Sequence, residues 1–246
     1  MKRIHIDQDL RRAADVALDR AHANRVLNVL RMRDGAPLAV FNGRDGEWRA
    51  RLAVRGRKAA HLHVEERLRP QPPAPPLHVL LAPIKRLDYA VQKSVEMGAG
   101  RIRPVETDHT QARARADKTT AYAVEAAEQC GALHVPPVDD LQPLASVLDA
   151  WNGRPLIFCD EDAIFCDEDA KGADPLATLR AIAPGPLGVL VGPEGGFSAR
   201  ERERLRALPF VTPLPLGPRI LRADTALVAA LALVQATLGD WAGERR

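Results

Sequence analysis

The chain has 246 residues, 46% of them apolar and 27% charged, with 35 basic side chains against 32 acidic ones. That composition is globular and excludes a disordered chain, and its longest apolar run, Ala226 to Val234, is about half of a membrane span. Charge is uneven: residues 1–70 hold 16 Lys and Arg against 9 Asp and Glu, the remainder 19 against 23, so the N-terminal third is expected to face a polyanion.

The charged N-terminus, MKRIHIDQDLRR, leads into no apolar stretch of the kind a secretory signal needs. Cys130, Cys159 and Cys166 form no CxxC pair, and the seven histidines are scattered. The expectation is a cytoplasmic protein in a reducing compartment, without disulfide framework, metal or membrane.

In chain order, an amphipathic helix is predicted near Ala21 to Leu30, followed by strands over Ala36–Asn42, Glu47–Val54 and His61–Glu65. The turn pairs Asn42-Gly43 and Asp45-Gly46 separate the first two strands. A mostly β module of this size commonly binds RNA. Five prolines between Pro70 and Pro76 form a stiff, extended spacer. The expected boundaries are therefore 1–70, a linker at 71–76, and a second domain at 77–246.

The second domain alternates strand and helix. Strands are predicted at Leu77–Ala82, Arg101–Glu106, Leu156–Cys159, Leu187–Val191 and Val211–Leu216. Helices are predicted at Leu87–Met97 and Thr119–Cys130, and from Pro175 with Asp174 as N-cap. Another opens at Ser198, whose Ser-x-x-Glu pattern is a capping box. The last runs from Asp224, taken as its N-cap, to Leu238. This last helix is apolar on nearly every face and calls for burial in the core or against a second subunit. The pattern is α/β with a largely parallel sheet. Residues 157–163 and 164–170 repeat the heptad IFCDEDA, too short for a structural repeat; one copy is expected to supply a strand and the other a surface loop.

Two glycine-bearing turns follow apolar strands: Gly192-Pro193-Glu194-Gly195-Gly196-Phe197-Ser198, and Leu216-Gly217-Pro218-Arg219-Ile220-Leu221-Arg222. Ligands of open α/β sheets bind at such carboxyl ends. Neither turn is a dinucleotide fingerprint or a phosphate-binding loop.

GVLVGPEGGFS and PLGPRILRADTA resemble the RsmE family of 16S rRNA (uracil-N3)-methyltransferases, of the SPOUT superfamily. The segment His22 to Arg31, Phe41-Asn42-Gly43, Lys85 with Gln92 to Gly98, and Glu125 to Cys130 are similar to further family segments. Asp224 stands where the family usually has Glu, and Ala132 and His134 where it often has arginines; Arg113 and Arg115 lie nearby. The resemblance implies a PUA-like β-barrel domain followed by a knotted α/β methyltransferase domain with a C-terminal trefoil knot. It further implies a homodimer acting on 16S rRNA of the small ribosomal subunit, with S-adenosylmethionine as cofactor. Carried over residue by residue, the cofactor pocket comprises Leu190, Gly192, Pro193, Glu194, Gly195, Gly196, Leu216, Gly217, Ile220, Leu221 and Arg222.

Methylating uracil N3 requires loss of its proton and stabilisation of charge on O2 and O4. Arg222 is the expected cationic donor, ahead of Arg219. Glu194 and Asp224 are the candidate proton acceptors, and each has a structural alternative, a turn for Glu194 and a helix cap for Asp224. His22, Arg25, Arg31, Arg33, Lys85 and Arg219 are expected to contact RNA, with the cluster Arg55 to Lys58. A SPOUT enzyme acting on a tRNA base or ribose 2′-OH, and a non-catalytic RNA-binding factor, are the alternatives.

Overall fold

The computed structural model describes residues 1–56, 59–112, 114–159 and 174–243. Most of the duplicated heptad, and Arg57, Lys58 and Arg113, lie outside the described residues; Ile157 to Cys159 of the first copy form a strand. The chain divides into two units, Met1–Ala74 with Ala127–Val135, and Pro75–Ala126 with Pro136–Arg246.

In the first unit, β1 (Lys2–His5), β2 (Asp15–Ala17), β3 (Pro37–Phe41), β4 (Glu47–Val54) and β5 (Ala60–Arg69) form a sheet in the order β1-β3-β4-β5-β2. Only β1 runs parallel to its neighbour, β3; the other pairings are antiparallel. Period-2 alternation puts Leu38, Val40, Ala50, Leu52, Leu62 and Val64 into one core with Ile4 and Ile6. The β3–β4 connection is closed by side chains. The Asn42 carbonyl accepts the N–H groups of Arg44 (3.0 Å) and Asp45 (2.9 Å), while the Asp45 carboxylate accepts the Leu10 N–H (2.8 Å). Sequence periodicity missed β1 and β2, which have four and three residues and are too short to show a repeat.

The predicted helix at 21–30 starts one residue earlier and splits. Residues Arg20–Asn24 form α1, capped by the Asp19 side chain, and Arg25–Val29 form a π-helical turn. The wider turn places Leu30 N–H on Arg25 O (2.8 Å) and leads into Arg31 at φ 51°, a left-handed conformation unusual for a residue with a Cβ.

Residues 127–135 pack within this first unit through buried carboxylates and arginines. Glu47 is clamped by Arg3 (2.6 Å) and Arg69 (2.7 Å). The same two arginines donate to carbonyls at the end of a helix: Arg3 to Ala127 O (2.8 Å) and Glu128 O (3.0 Å), Arg69 to Gly131 O (3.0 Å). Ala127 O also takes the Gly131 N–H at 3.3 Å, and cations favour this end of the helix dipole. The buried Glu128 carboxylate accepts the His5 N–H (2.8 Å) and pairs with Arg25.

In the second unit, β6 (Leu77–Leu81), β7 (Arg101–Glu106), β8 (Gln142–Pro143), β9 (Leu156–Cys159), β10 (Leu187–Val191) and β11 (Val211–Pro213) form a parallel sheet in the order β11-β9-β10-β6-β7-β8. β10 is buried at every residue, as a central strand of a parallel sheet must be. The helices are α2 (Leu87–Glu96), α3 (Ala116–Cys130), α4 (Leu144–Asp149), α5 (Pro175–Arg180), α6 (Ala199–Ala207) and α7 (Ala223–Thr237). Asp174 caps α5, and both halves of the Ser198–Glu201 capping box are formed.

Three expectations are corrected. The last strand stops at Pro213 rather than Leu216, because Pro213 and Pro215 cannot donate to a ladder. The N-cap of α7 is Arg222; Asp224 sits within the first turn, its carboxylate accepting the Thr225 N–H (2.8 Å). β8 and α4 were not expected; α4, at six residues, is too short for a clear helical period. Among the described residues no helix is long and apolar enough to cross a membrane.

Burial opposes ionisation of Glu47, but hydrogen bonds from Arg69 and Arg3 outweigh it and hold its carboxyl below the ordinary 4.5. That stabilisation is present above this value and is lost as pH falls through the lowered one. Glu47→Gln should cost about 3 kcal/mol near neutral pH, since it strands two arginines, and its deficit against the wild type should shrink in acid. Thermal unfolding of both proteins between neutral and acidic pH measures this; a pH-independent deficit would contradict it.

Candidate active site

Parallel strands present their carboxyl ends on one edge, and the chain leaving each strand there must turn. Three such segments meet in the second unit: Ile84–Arg86 after β6, Gly192–Phe197 after β10, and Leu216–Arg222 after β11. They enclose a cavity of about 630 Å³, whose floor includes Cys159 at the end of β9 and Val191. The volume lies in the range of small-molecule sites, roughly 300–1,000 Å³.

Close packing forms the walls. A Cβ on Gly192 would stand 2.6 Å from the Phe197 ring, so only glycine lets the ring lie against this backbone. Phe197 in turn packs edge-on against Phe158, with centroids 5.0 Å apart. Gly217 has φ 92°, which a side chain would strain. Burial pushes the Cys159 thiol up to about 12, so it stays protonated and is no nucleophile at neutral pH.

The first turn is pinned from outside. His109 Nδ1 lies 2.9 Å from the Gly195 carbonyl. Ser198 Oγ donates to Asp108 Oδ2 at 2.6 Å, and Arg200 reaches the same carboxylate at 3.0 Å. The Ser198 hydroxyl first, then Arg200, hold the Asp108 carboxyl below its ordinary range.

Both candidate carboxylates are engaged by the segment after β6. Glu194 Oε1 accepts the Lys85 N–H at 2.9 Å. Asp224 Oδ2 takes the Arg86 guanidinium at 3.0 Å, and that guanidinium lies over the Tyr89 ring at 4.4 Å. Arg219 and Arg222 line the cavity and are exposed; among the described residues neither has an ion-pair partner. Ile220 is 74% exposed at the same cavity.

Of the residues expected in the cofactor pocket, Gly192, Pro193, Glu194, Gly196, Leu216, Gly217, Ile220, Leu221 and Arg222 line the cavity, as do Lys85, Arg219 and Asp224. Leu190 does not: it is fully buried in the sheet core. Gly195 does not either, and lies exposed beside His109. Ile84, Arg86, Phe197 and Cys159 line it without having been anticipated. The position of Ile84 and Arg86 at the end of an apolar strand was the available signal. In the first unit, His22 is tied to Asp19 (2.9 Å) and Arg25 to Glu128, whereas Arg31 and Arg33 are exposed. Among the described residues no group of three or more His, Cys, Asp or Glu could hold a metal ion.

Comparison with known proteins gives two family matches. Residues 71–235 match the RNA methyltransferase domain family, and residues 26–65 the RNA methyltransferase PUA domain. Ribosomal RNA small subunit methyltransferase E of Rickettsia conorii is 28% identical over 237 residues, covering 95% of this chain and 94% of its own. The crystal structure of ribosomal RNA small subunit methyltransferase E from Neisseria gonorrhoeae, bound to S-adenosyl methionine, is similar with a TM-score of 0.79 and 28% identity, over 96% of this chain and 97% of that one. A putative methyltransferase from Legionella pneumophila, with bound cofactor SAM, gives 0.77 and 27%, over 95% and 96%. With the family match spanning the parallel sheet and every segment that lines the cavity, this chain belongs to the RNA methyltransferase domain family.

Proposed function

We propose that the protein methylates N3 of a specific uridine in 16S rRNA, in the cytoplasm, using S-adenosylmethionine held in the cavity at the carboxyl edge of the sheet. The observation that carries the reading is the convergence of the two glycine turns on one cavity of about 630 Å³. Its chemistry suits the cofactor: apolar walls from Ile84, Val191, Phe197 and Leu221 for an adenine ring, and turn backbones for the polar edges. When bound, S-adenosylmethionine supplies an electrophilic methyl group on a cationic sulfur.

The protein's own part is positioning and charge. Holding the base in line can remove about 7–11 kcal/mol of the barrier. Arg222, exposed at the cavity, stabilises the negative charge that develops on O4 as N3 loses its proton. Among the described residues Glu194 uses only Oε1, leaving Oε2 open as a proton acceptor, whereas Asp224 spends both oxygens on Arg86 and Thr225. Lys85 and Arg219 meet phosphates beside the target, and Arg31 and Arg33 do so on the first unit. The uridine leaves its stack to reach the cavity.

The reading includes the C-terminal trefoil knot and a homodimer. Val228, Ala229, Ala232 and Leu233 of α7 are only partly buried, and a second copy covers them.

Calorimetry with S-adenosylmethionine and mapping of methylated small-subunit rRNA test the proposal together. The wild type should bind the cofactor and place one methyl group on uridine N3; absence of binding, or a methyl on a ribose or a tRNA base, would overturn it. Arg222→Ala should lower kcat by about 10²–10³-fold, the usual effect of removing one donor to a developing anion, a larger factor than its effect on cofactor affinity. Gly192→Ala should push Phe197 into the cavity and weaken cofactor binding by roughly tenfold, within the cost of overpacking a close-packed site.

A further inference from the structure

The segment between β6 and α2 reaches the first glycine turn through a main-chain N–H, and the first turn of α7, just after the second glycine turn, through a guanidinium. Lys85 N–H holds Glu194 of the first turn. Arg86, the residue immediately before α2, holds Asp224 in the first turn of α7, 138 positions along the chain. The two bonds differ in character. Any residue but proline at 85 supplies the first, whereas the second needs a cation at 86.

Asp224 is largely sheltered, with a side chain 14% exposed, and lies in the first turn of α7. Arg86 is 64% exposed, so the ion pair itself contributes little to folding stability. Its effect is geometric. The Tyr89 ring under the guanidinium, 4.4 Å away, limits the side chain's freedom. The pair adds to the packing of α2 on α7 a tie that bears on the separation of their first turns. Leu221 and Arg222 precede Asp224 by three and two residues and form the wall that this separation positions.

We propose that Arg86 is a positioning residue for methyl transfer, acting through Asp224 to hold the Leu221–Arg222 wall of the cavity in register with the segment after β6. This rests on the cofactor-binding reading of the cavity. It assigns Asp224 to the same brace and removes it from proton transfer. A misplacement of about 1 Å in a group facing the reacting atoms can cost 10²-fold in rate. A loosened brace should cost part of that.

The test combines Arg86→Gln, Arg86→Lys, Asp224→Asn and the double variant Arg86→Gln/Asp224→Asn, read by kcat, cofactor affinity and thermal midpoint. Arg86→Gln should lower kcat by roughly tenfold and move the thermal midpoint by less than about 3 °C. Arg86→Lys should recover most of the rate. The double variant should be no slower than Asp224→Asn alone, because both changes break one interaction. Wild-type kcat in Arg86→Gln, or losses that multiply in the double variant, would overturn the brace while leaving cofactor binding by the wild type intact. If the wild type binds no cofactor, the functional reading fails and the brace falls with it. Should Arg86→Gln not fold, Arg86→Lys decides: a rate as low as that of Asp224→Asn, in a folded protein, overturns the brace.

Discussion

A parallel strand leaves its last carbonyls and the next segment's N–H groups at the same edge of the sheet as its neighbours. In this protein β6, β9, β10 and β11 all end there. The chain emerging from each has to turn away, and those turns cannot bury their polar groups in the apolar core behind them. A polar-rimmed hollow with an apolar floor follows from that constraint. Glycine at 192 lets an aromatic ring close one side of it, and glycine at 217 lets the opposite turn bend. The cavity is thus a consequence of sheet topology, refined by a few positions where a side chain would not fit.

Charge around the hollow is arranged asymmetrically. The two carboxylates, Glu194 and Asp224, face the segment after β6 and are engaged by it. The two arginines of the second turn, 219 and 222, remain exposed and unpaired among the described residues. Exposed cations at a rim of this kind attract anions. Asp224 is compensated by the Arg86 guanidinium, whereas Glu194 meets a backbone N–H and keeps its charge at the rim.

Buried acids play a different part in the first unit. Glu47 and Glu128 would each be costly alone in an apolar setting. Arg3 and Arg69 clamp Glu47 and also cap a helix end, so one pair of cations satisfies a carboxylate and several carbonyls. Arg25, the first residue of the π-helical turn, pairs with Glu128. The short strand β1 owes its place to this unit's core and to the ties made by Arg3, and β2 to the core through Val16 and its pairing with β5, since neither has length enough to form by itself.

Much of the architecture was legible in the amino-acid order. Alternation marked β3, β4 and β5; apolar runs marked β6, β9 and β10; Asp174 and the Ser198–Glu201 box marked two helix starts; the two glycine turns marked the cavity. These signals are local, carried by residues within a few positions of one another. What escaped was either too short to show a pattern, as β1, β2, β8 and α4 are, or non-local. The Asp224 carboxylate reads as a helix cap until Arg86 is seen beside it, and Arg25 reads as a free cation until Glu128 is seen. Leu190 reads as a pocket residue until the sheet turns it inward. Local sequence determined most of the longer strands, helices and turns, because backbone sterics, capping and side-chain periodicity act over a few residues. Only the tertiary structure decided which charges meet and which side chains face the cavity, because those pairings join residues a hundred or more positions apart and depend on strand order, which no short-range pattern records.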